Sequence, residues 1–507
     1  MKIIEQMLSA AQYNRGMDIV IISTTSAMQE VYWQQRLEAS KGQIANRSGL
    51  ILAVHEDWPG GAGNGLGTLY CLQKAVERAK STGVDLLQRL RDGASLAIYH
   101  TAGKGTRLAP LPAAENNNKP AVKLPGMLHI DGAQRPITIL ESVIRQTSVY
   151  APARAGYVSV FWGDQIFIPT TDPARQPRAH VEILCQLSSF PSEQEWQTRG
   201  LQNYGLIAVD AAGNARQAEK ISYGQAKKLL VDGVINADGG IGPSIGSFTM
   251  SALMTEALLA EFATELAQKQ GKMDTDPHFW MPMALPLATY AEVMQAKGAK
   301  EPAAHHARIR RMLETLPAQQ AVLGAMDVGA DSYWWDYGQL TGYHGNCMRL
   351  LRDDEEGRAM RQFFAAPEPD ENGAICIGCT IGRGRAFDSL LIDVACESVA
   401  VARAAVVGLR APSLEGQGII VYQHLSRTAV TVEDGGVIAD SVLPPDERVS
   451  MHTQIGRHGG DDWHEVLAGN PVSYDTLHKR NHAIDPLAAE QLAIAQFASY
   501  QTGPSDG

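Results

Sequence analysis

Two glycines and two cations carry the first chemical signal in this chain. In Thr101-Ala102-Gly103-Lys104-Gly105-Thr106-Arg107-Leu108, the glycines lack the Cβ atoms that would hold a phosphate off the main chain, so successive N–H groups can point at a polyphosphate. Ala102, Gly103, Lys104, Gly105 and Thr106 are therefore expected to line a nucleotide. Arg107 offers a forked donor set for the β- and γ-phosphates, and Lys119, in Lys119-Pro-Ala-Val-Lys-Leu-Pro125, adds a compact positive charge. No Gly-Lys-Ser/Thr opens a helix after the loop, so it is not of the Walker type. A bare Gly-x-Gly would serve a plain strand-to-loop turn equally well; the Thr-Arg-Leu continuation and the later Lys-Pro favour phosphate.

These motifs resemble the sugar-1-phosphate nucleotidyltransferases, whose signature loop reads Gly-x-Gly-Thr-Arg with a later Lys-Pro. Trp162-Gly-Asp-Gln-Ile-Phe167 looks like that family's Gly-Asp metal-binding segment, and Trp335-Asp-Tyr-Gly338 like its later segment with a second carboxylate. Chemistry alone supports the pairing, because Mg²⁺ on a triphosphate is usually held by one or two carboxylates plus phosphate oxygens. Asp164 and Asp336 are the candidate ligands, although either alone reads equally as a cap or a turn. The resemblance further implies that Tyr204-Gly205 through Glu219-Lys220 binds the sugar, with Glu219 on its hydroxyls and Lys220 on its phosphate, and that Asn236 contacts hydroxyls. A plain hairpin with a solvated Glu and Lys is the alternative.

Positioning such groups requires strands that deliver loops to one edge. Apolar runs at 18–23, 50–54, 94–99 and 156–161, separated by amphipathic stretches, predict an α/β unit with a parallel sheet covered on both faces. Leu69, Leu72, Ala75, Val76 and Ala79 share one helical face after Gly61-Ala-Gly-Asn-Gly-Leu-Gly-Thr68. That turn resembles the family's base-contacting segment, which places Gly65, Gly67 and Thr68 against the nucleotide. Because it precedes the Gly-Thr-Arg loop, the order implies a permuted Rossmann-like (GT-A-like) core, as in the GDP-fucose pyrophosphorylase (fucose-1-phosphate guanylyltransferase and fucokinase-fusion) family. Gln34-Gln-Arg-Leu37 and Gly63-Asn-Gly-Leu-Gly-Thr-Leu-Tyr-Cys-Leu-Gln73 carry that closer likeness. It implies an NTP and a sugar 1-phosphate as substrates, GTP and a fucose-like sugar favoured and UTP or another NTP allowed, with Mg²⁺ as cofactor.

Beyond Pro367-Glu-Pro-Asp-Glu-Asn372, Ile375, Ile381, Phe387 and Val399 fall on a six-residue ladder, which predicts a left-handed β-helix. The expected units are a catalytic domain over 1–365, the β-helix over 366–485, and a helix with a frayed tail over 486–507. The β-helix is expected to pack on the catalytic domain or to build a homo-oligomer. His424, His452, His458 and His464 keep two rivals open: a β-helix acyltransferase, and a non-catalytic nucleotide or sugar-phosphate binder. His305-His-Ala-Arg-Ile-Arg-Arg311 reads as a solvated helix face.

The 507 residues carry 44 Lys and Arg against 55 Asp and Glu, a net charge of −11 with no dense basic block, which argues against nucleic acid as a partner. No signal-peptide core or spanning run is evident, so no membrane partner and a cytoplasmic location are expected. Six sparse cysteines fit a reducing compartment, and Cys376-Ile-Gly-Cys379 reads as two packed small residues rather than half of a zinc site.

Overall fold

The computed structural model describes residues 2–101 and 103–500. Ala102 and the expected tail beyond Tyr500 lie outside the described residues. Each of the four apolar runs forms a strand: β1 (Ile19–Thr24), β2 (Leu50–His55), β3 (Leu96–His100) and, after the hairpin β4 (Lys123–Ile130) and β5 (Ala133–Thr138), β6 (Tyr157–Trp162). They lie side by side in the order β2-β1-β3-β6, all parallel. Their C-terminal ends therefore emerge on one edge, where open α/β sheets place their ligands.

The sheet continues with reversed strands. After β7 (Gln165–Ile168) come β8 (Ala179–Cys185), β9 (Gly205–Val209), β10 (Ala215–Glu219), β11 (Gly240–Ser251) and β12 (Ala321–Asp327). Strand β11 runs antiparallel to β6, β8 and β9, while β12 is parallel to β8. A separate ribbon pairs β7 with β13 (Tyr333–Asp336), setting Asp336 opposite Gln165.

Alternation along β1 divides the interior. Ile19 and Ile21 face one core, shared with Leu66, Leu69 and Leu72 of the helix Gly63–Ser81. Val20 and Ile22 face another, shared with Trp33 and Leu37 of the helix Ala27–Ala39. With period-2 burial on both faces, the strands read as near-continuous apolar runs.

The second sheet contains β14 (Ile375–Ile377), β15 (Thr380–Phe387), β16 (Leu390–Ala402), β17 (Ala405–Gln417), β18 (Ile420–Leu425), β19 (Val430–Val432), β20 (Gly436–Leu443) and β21 (Glu447–Gln454). All pairs are parallel except β20 with β21. Ile375 pairs with Leu390, Leu390 with Ala405 and Ala405 with Ile420, a step of fifteen residues per coil. Three hexapeptide sides would need about eighteen, so the six-residue ladder is not the period of this coil and the left-handed hexapeptide form is not shown. Phe387, expected inside, is 44% exposed. The interior column is instead Leu391, Val406 and Val421. Its neighbours Leu390, Ala405 and Ile420 face outward into the core around Trp33, which docks the coil on the first sheet's helical layer.

The basic helix Pro302–Leu313 also departs from expectation. His306 is buried with Nε2 at 2.9 Å from the Leu285 carbonyl, Arg308 pairs with Glu261 and Glu265, and Arg310 donates to the Met283 carbonyl. His306 and Arg308 thus dock the helix, while Arg310 and Arg311 are exposed as expected. Among the described residues, no helix is long and apolar enough to cross a membrane.

Candidate active site

Strands β1, β3 and β6 deliver three loops to the shared edge. Thr101 ties the first two together, its hydroxyl donating to the Ser23 carbonyl at 2.6 Å, and the Gly163 N–H donates to the His100 carbonyl at 3.0 Å. Gly103 and Gly105 have φ of +126° and +64°, conformations that side-chain-bearing residues rarely adopt. A Cβ on Gly105 would press on the Lys119 side chain at 3.0 Å, so this glycine also lets the lysine pass.

Lys119 Nζ lies 2.5 Å from Asp164 Oδ2, with both side chains mostly shielded from solvent. Asp164 stands one residue before β7 and Asp336 closes β13, so the register of the ribbon makes the two neighbours; the Tyr337 N–H donates to the Asp164 carbonyl at 3.1 Å. Gly338 shows how tightly they converge. A Cβ there would lie 2.9 Å from Asp336 Oδ1, 3.5 Å from Asp164 Oδ2 and 3.8 Å from an Arg107 guanidinium nitrogen. Any side chain at 338 would fill the space between two carboxylates and a guanidinium.

Burial pushes the Asp336 carboxyl above its ordinary range; its bond from the Gly338 N–H, 2.7 Å, opposes this, and the charge of Asp164 adds to it. Two carboxylates so close favour a cation between them, and Lys119 already supplies one positive charge to Asp164. The donor set fits a small divalent ion that keeps several non-protein ligands. Among the described residues no group of three or more His, Cys, Asp or Glu is placed to hold a metal. A cavity of about 280 Å³ opens beside them, lined by His100, Thr101, Lys119, Trp162, Asp164 and Gln165. The Gln165 Oε1 in its wall is buried without a partner.

Other expected residues lie elsewhere. Gly65, Gly67 and Thr68 sit inside the first turns of the helix Gly63–Ser81, where the Gly65 N–H is used by the Met273 carbonyl and Gly67 backs onto Glu56. Thr68 reaches the cleft only through His100, Oγ1 to Nε2 2.7 Å; burial lowers that imidazole to about 4 and keeps it neutral. Asn236 is exposed on a separate groove with Arg216 and Asp210, its side chain bonded to Asp238.

Gly205 and Glu219 pair across the β9–β10 hairpin. Glu219 is half-buried, with a side chain 12% exposed, while Lys220 beside it is exposed at φ +53°, so only the lysine fits the solvated alternative. A Cβ at Gly205 would meet Glu219 Oε2, Asp276 Oδ2 and Gln217 Nε2 at 2.9–3.0 Å, so a second acidic pair converges here. Burial, and then the charge of Glu219, raise Asp276 to about 7. Sequence reasoning missed Asp276; its only marker is the Asp-Pro step that opens a helical turn. Tyr204, one residue before this hairpin, lies 6.3 Å from the ring of Trp334 in β13, linking the second pair to the first.

Of the four histidines raised for acyl transfer, His424 is buried against Asp440 at 2.8 Å, and Asp440 also accepts from Ser450 and Arg448. Its ring is used inside the coil. His458 and His464 are exposed, and burial lowers the half-buried His452.

No family model and no curated protein matches the chain. Among solved structures it is similar to HddC from Yersinia pseudotuberculosis, with TM-score 0.25 and 9% identity over 67% of this chain and 81% of that one. It is also similar to a putative glucose-1-phosphate thymidylyltransferase from Bacillus anthracis, solved with sucrose, with TM-score 0.20 and 10% identity over 69% of this chain and 98% of that one. Overlaps this shallow carry no argument about function.

Proposed function

We propose that the chain is a sugar-1-phosphate nucleotidyltransferase, joining an NTP and a sugar 1-phosphate to give an NDP-sugar and pyrophosphate. The observation that carries the reading is the convergence of Asp164, Asp336 and Arg107 around Gly338, beside Lys119 and a loop whose Gly103 and Gly105 have positive φ. A triphosphate on that loop would meet Arg107 and Lys119, and Asp164 and Asp336 are the residues that would hold Mg²⁺, whose charge would offset that developing on the α-phosphate.

The sugar phosphate is already an anion at neutral pH, since the second ionisation of a phosphate monoester lies at about 6. No general base is needed, which accords with His100 being neutral and hydrogen-bonded to Thr68. The chain's task is to align the attacking oxygen with the α-phosphorus and the leaving pyrophosphate. Lys220, exposed beside Glu219, is assigned to the sugar phosphate, and Glu219 and Gly205 to the sugar. Residues 65–68 are assigned to closing the nucleotide side through His100 rather than to direct contact.

GTP with a fucose-like sugar 1-phosphate is the favoured pair on the sequence resemblance, in a cytoplasmic enzyme whose coil is available for self-association. The test is a screen of the common NTPs against hexose, deoxyhexose and aminohexose 1-phosphates with pyrophosphate detected. Pyrophosphate release that requires both substrates and Mg²⁺ is expected; its absence across the panel overturns the reading.

A further inference from the structure

The glycine loop borders two cavities. Thr101 lines the one with Asp164, whereas Gly103 and Lys104 line a second, of about 260 Å³, whose far wall comes from the helix Tyr474–Asn481 and the residues after it. His478 and His482 face this space together with Lys104, Gln29 and Asn117.

The far wall is built onto the loop. Lys104 Nζ stands 5.6 Å over the Trp463 ring, which lies 5.5 Å from the His478 ring. A Cβ at Gly459 would collide with the Thr106 carbonyl, so the segment after the coil touches the loop's backbone. Asn117 Nδ2 donates to the His478 carbonyl at 2.7 Å, and Asn481 Nδ2 to the Ala113 carbonyl at 2.8 Å.

Three groups that are or can become cationic thus surround one cavity. Among the described residues, neither Lys104 nor His482 pairs with a carboxylate, and Asp475 is already bonded to Lys479 and Trp463. Burial, and then the charges of Lys104 and His482, hold His478 below the ordinary histidine range, while Asp475 pulls the other way. Among the described residues lining this cavity there is no carboxylate, so a polyanion bound there would meet the Lys104 charge and favour protonation of the two histidines.

We propose that this cavity is a polyphosphate subsite in which His478 and His482, from the C-terminal segment, join Lys104 in holding the γ-phosphate end of the NTP, beyond the phosphates that meet Arg107 and Lys119, and the pyrophosphate that leaves. The proposal rests on the nucleotidyl-transfer reading for its place in a reaction, but the site's affinity for a polyanion does not. It makes the segment beyond the coil part of the leaving-group side of the active site, beside the loop that borders both cavities.

Calorimetric titration of the full chain with inorganic pyrophosphate, inorganic phosphate, GTP and GMP tests it. His478→Asn/His482→Asn is expected to weaken pyrophosphate and GTP about tenfold or more, as loss of charge-assisted contacts does, and to leave GMP unchanged. His482→Asn alone alters only an exposed side chain and should show part of the same loss should the double variant fold poorly. Wild-type pyrophosphate affinity in both variants overturns the proposal, as does a loss confined to inorganic phosphate. Turnover in the same samples separates the two claims. Pyrophosphate release by the wild type with histidine-independent pyrophosphate binding leaves nucleotidyl transfer standing and removes the subsite. Histidine-dependent binding by a chain that turns over no NTP does the reverse.

Discussion

The molecule holds two acidic pairs, and their surroundings differ. Asp164 and Asp336 border an open cleft with Lys119 on one carboxylate and Arg107 at hand. Glu219 and Asp276 meet at Gly205, half-buried, with the exposed Lys220 ammonium 3.4 Å from Glu219. Burial raises one carboxyl of each pair, Asp336 and Asp276, but the surroundings differ. At the open pair the Gly338 N–H, Lys119 and Arg107 pull against the shift, whereas Asp276 is held at about 7 by burial and then by Glu219. Proximity of carboxylates is thus no sign of a metal site without the neighbouring charges.

Removing a charge from the open pair gives the largest expected effect. Asp164→Asn should lower turnover by about two to three orders of magnitude, measured as pyrophosphate release at saturating substrates. Wild-type turnover would erase the distinction between the pairs. Lys119→Met removes the cation instead, and a fall of about a hundredfold is expected with the fold intact by circular dichroism.

The second pair is tested by pH. A carboxyl raised to about 7 keeps a proton in the folded chain that the unfolded chain has released, so its cost is absent below the ordinary carboxyl range, grows as pH rises, and is complete above about 7. Thermal midpoints should therefore fall between pH 5 and pH 8 by a component that Asp276→Asn removes. An unchanged slope in that variant would mean that Asp276 does not hold the proton. Smallest is Gly105→Ala, expected to cost about 1 to 2 kcal/mol of stability from its left-handed backbone and to raise the KM for NTP by displacing Lys119.

The sequence disclosed the open pair and hid the second one for a physical reason. Asp164 follows the aromatic end of β6 after Gly163, and Asp336 closes the aromatic β13 two residues before Gly338, so type and spacing announce turns. Asp276 sits in a short irregular turn with no periodic neighbours, and only the folded chain brings it to Glu219. The four parallel strands were legible to within about two residues, because runs buried on both faces leave little ambiguity. The coil was not. With nearly every second residue apolar from 390 to 402, a six-residue ladder can be drawn through it, yet strand pairing sets the step at fifteen. His478 and His482 carried no signal, since their meaning depends on a loop more than three hundred residues earlier in the chain.

That distance has a consequence for synthesis. Asn116 donates to the Val442 carbonyl, and Asn117 to that of His478, across 326 and 361 residues. A ribosome that has passed Asp336 has made every cleft side chain but none of these braces. Nascent chains stalled before residue 442 would therefore carry Arg107, Lys119, Asp164 and Asp336 on an unsupported loop, and competence would arrive only once residues 442–478 have been made.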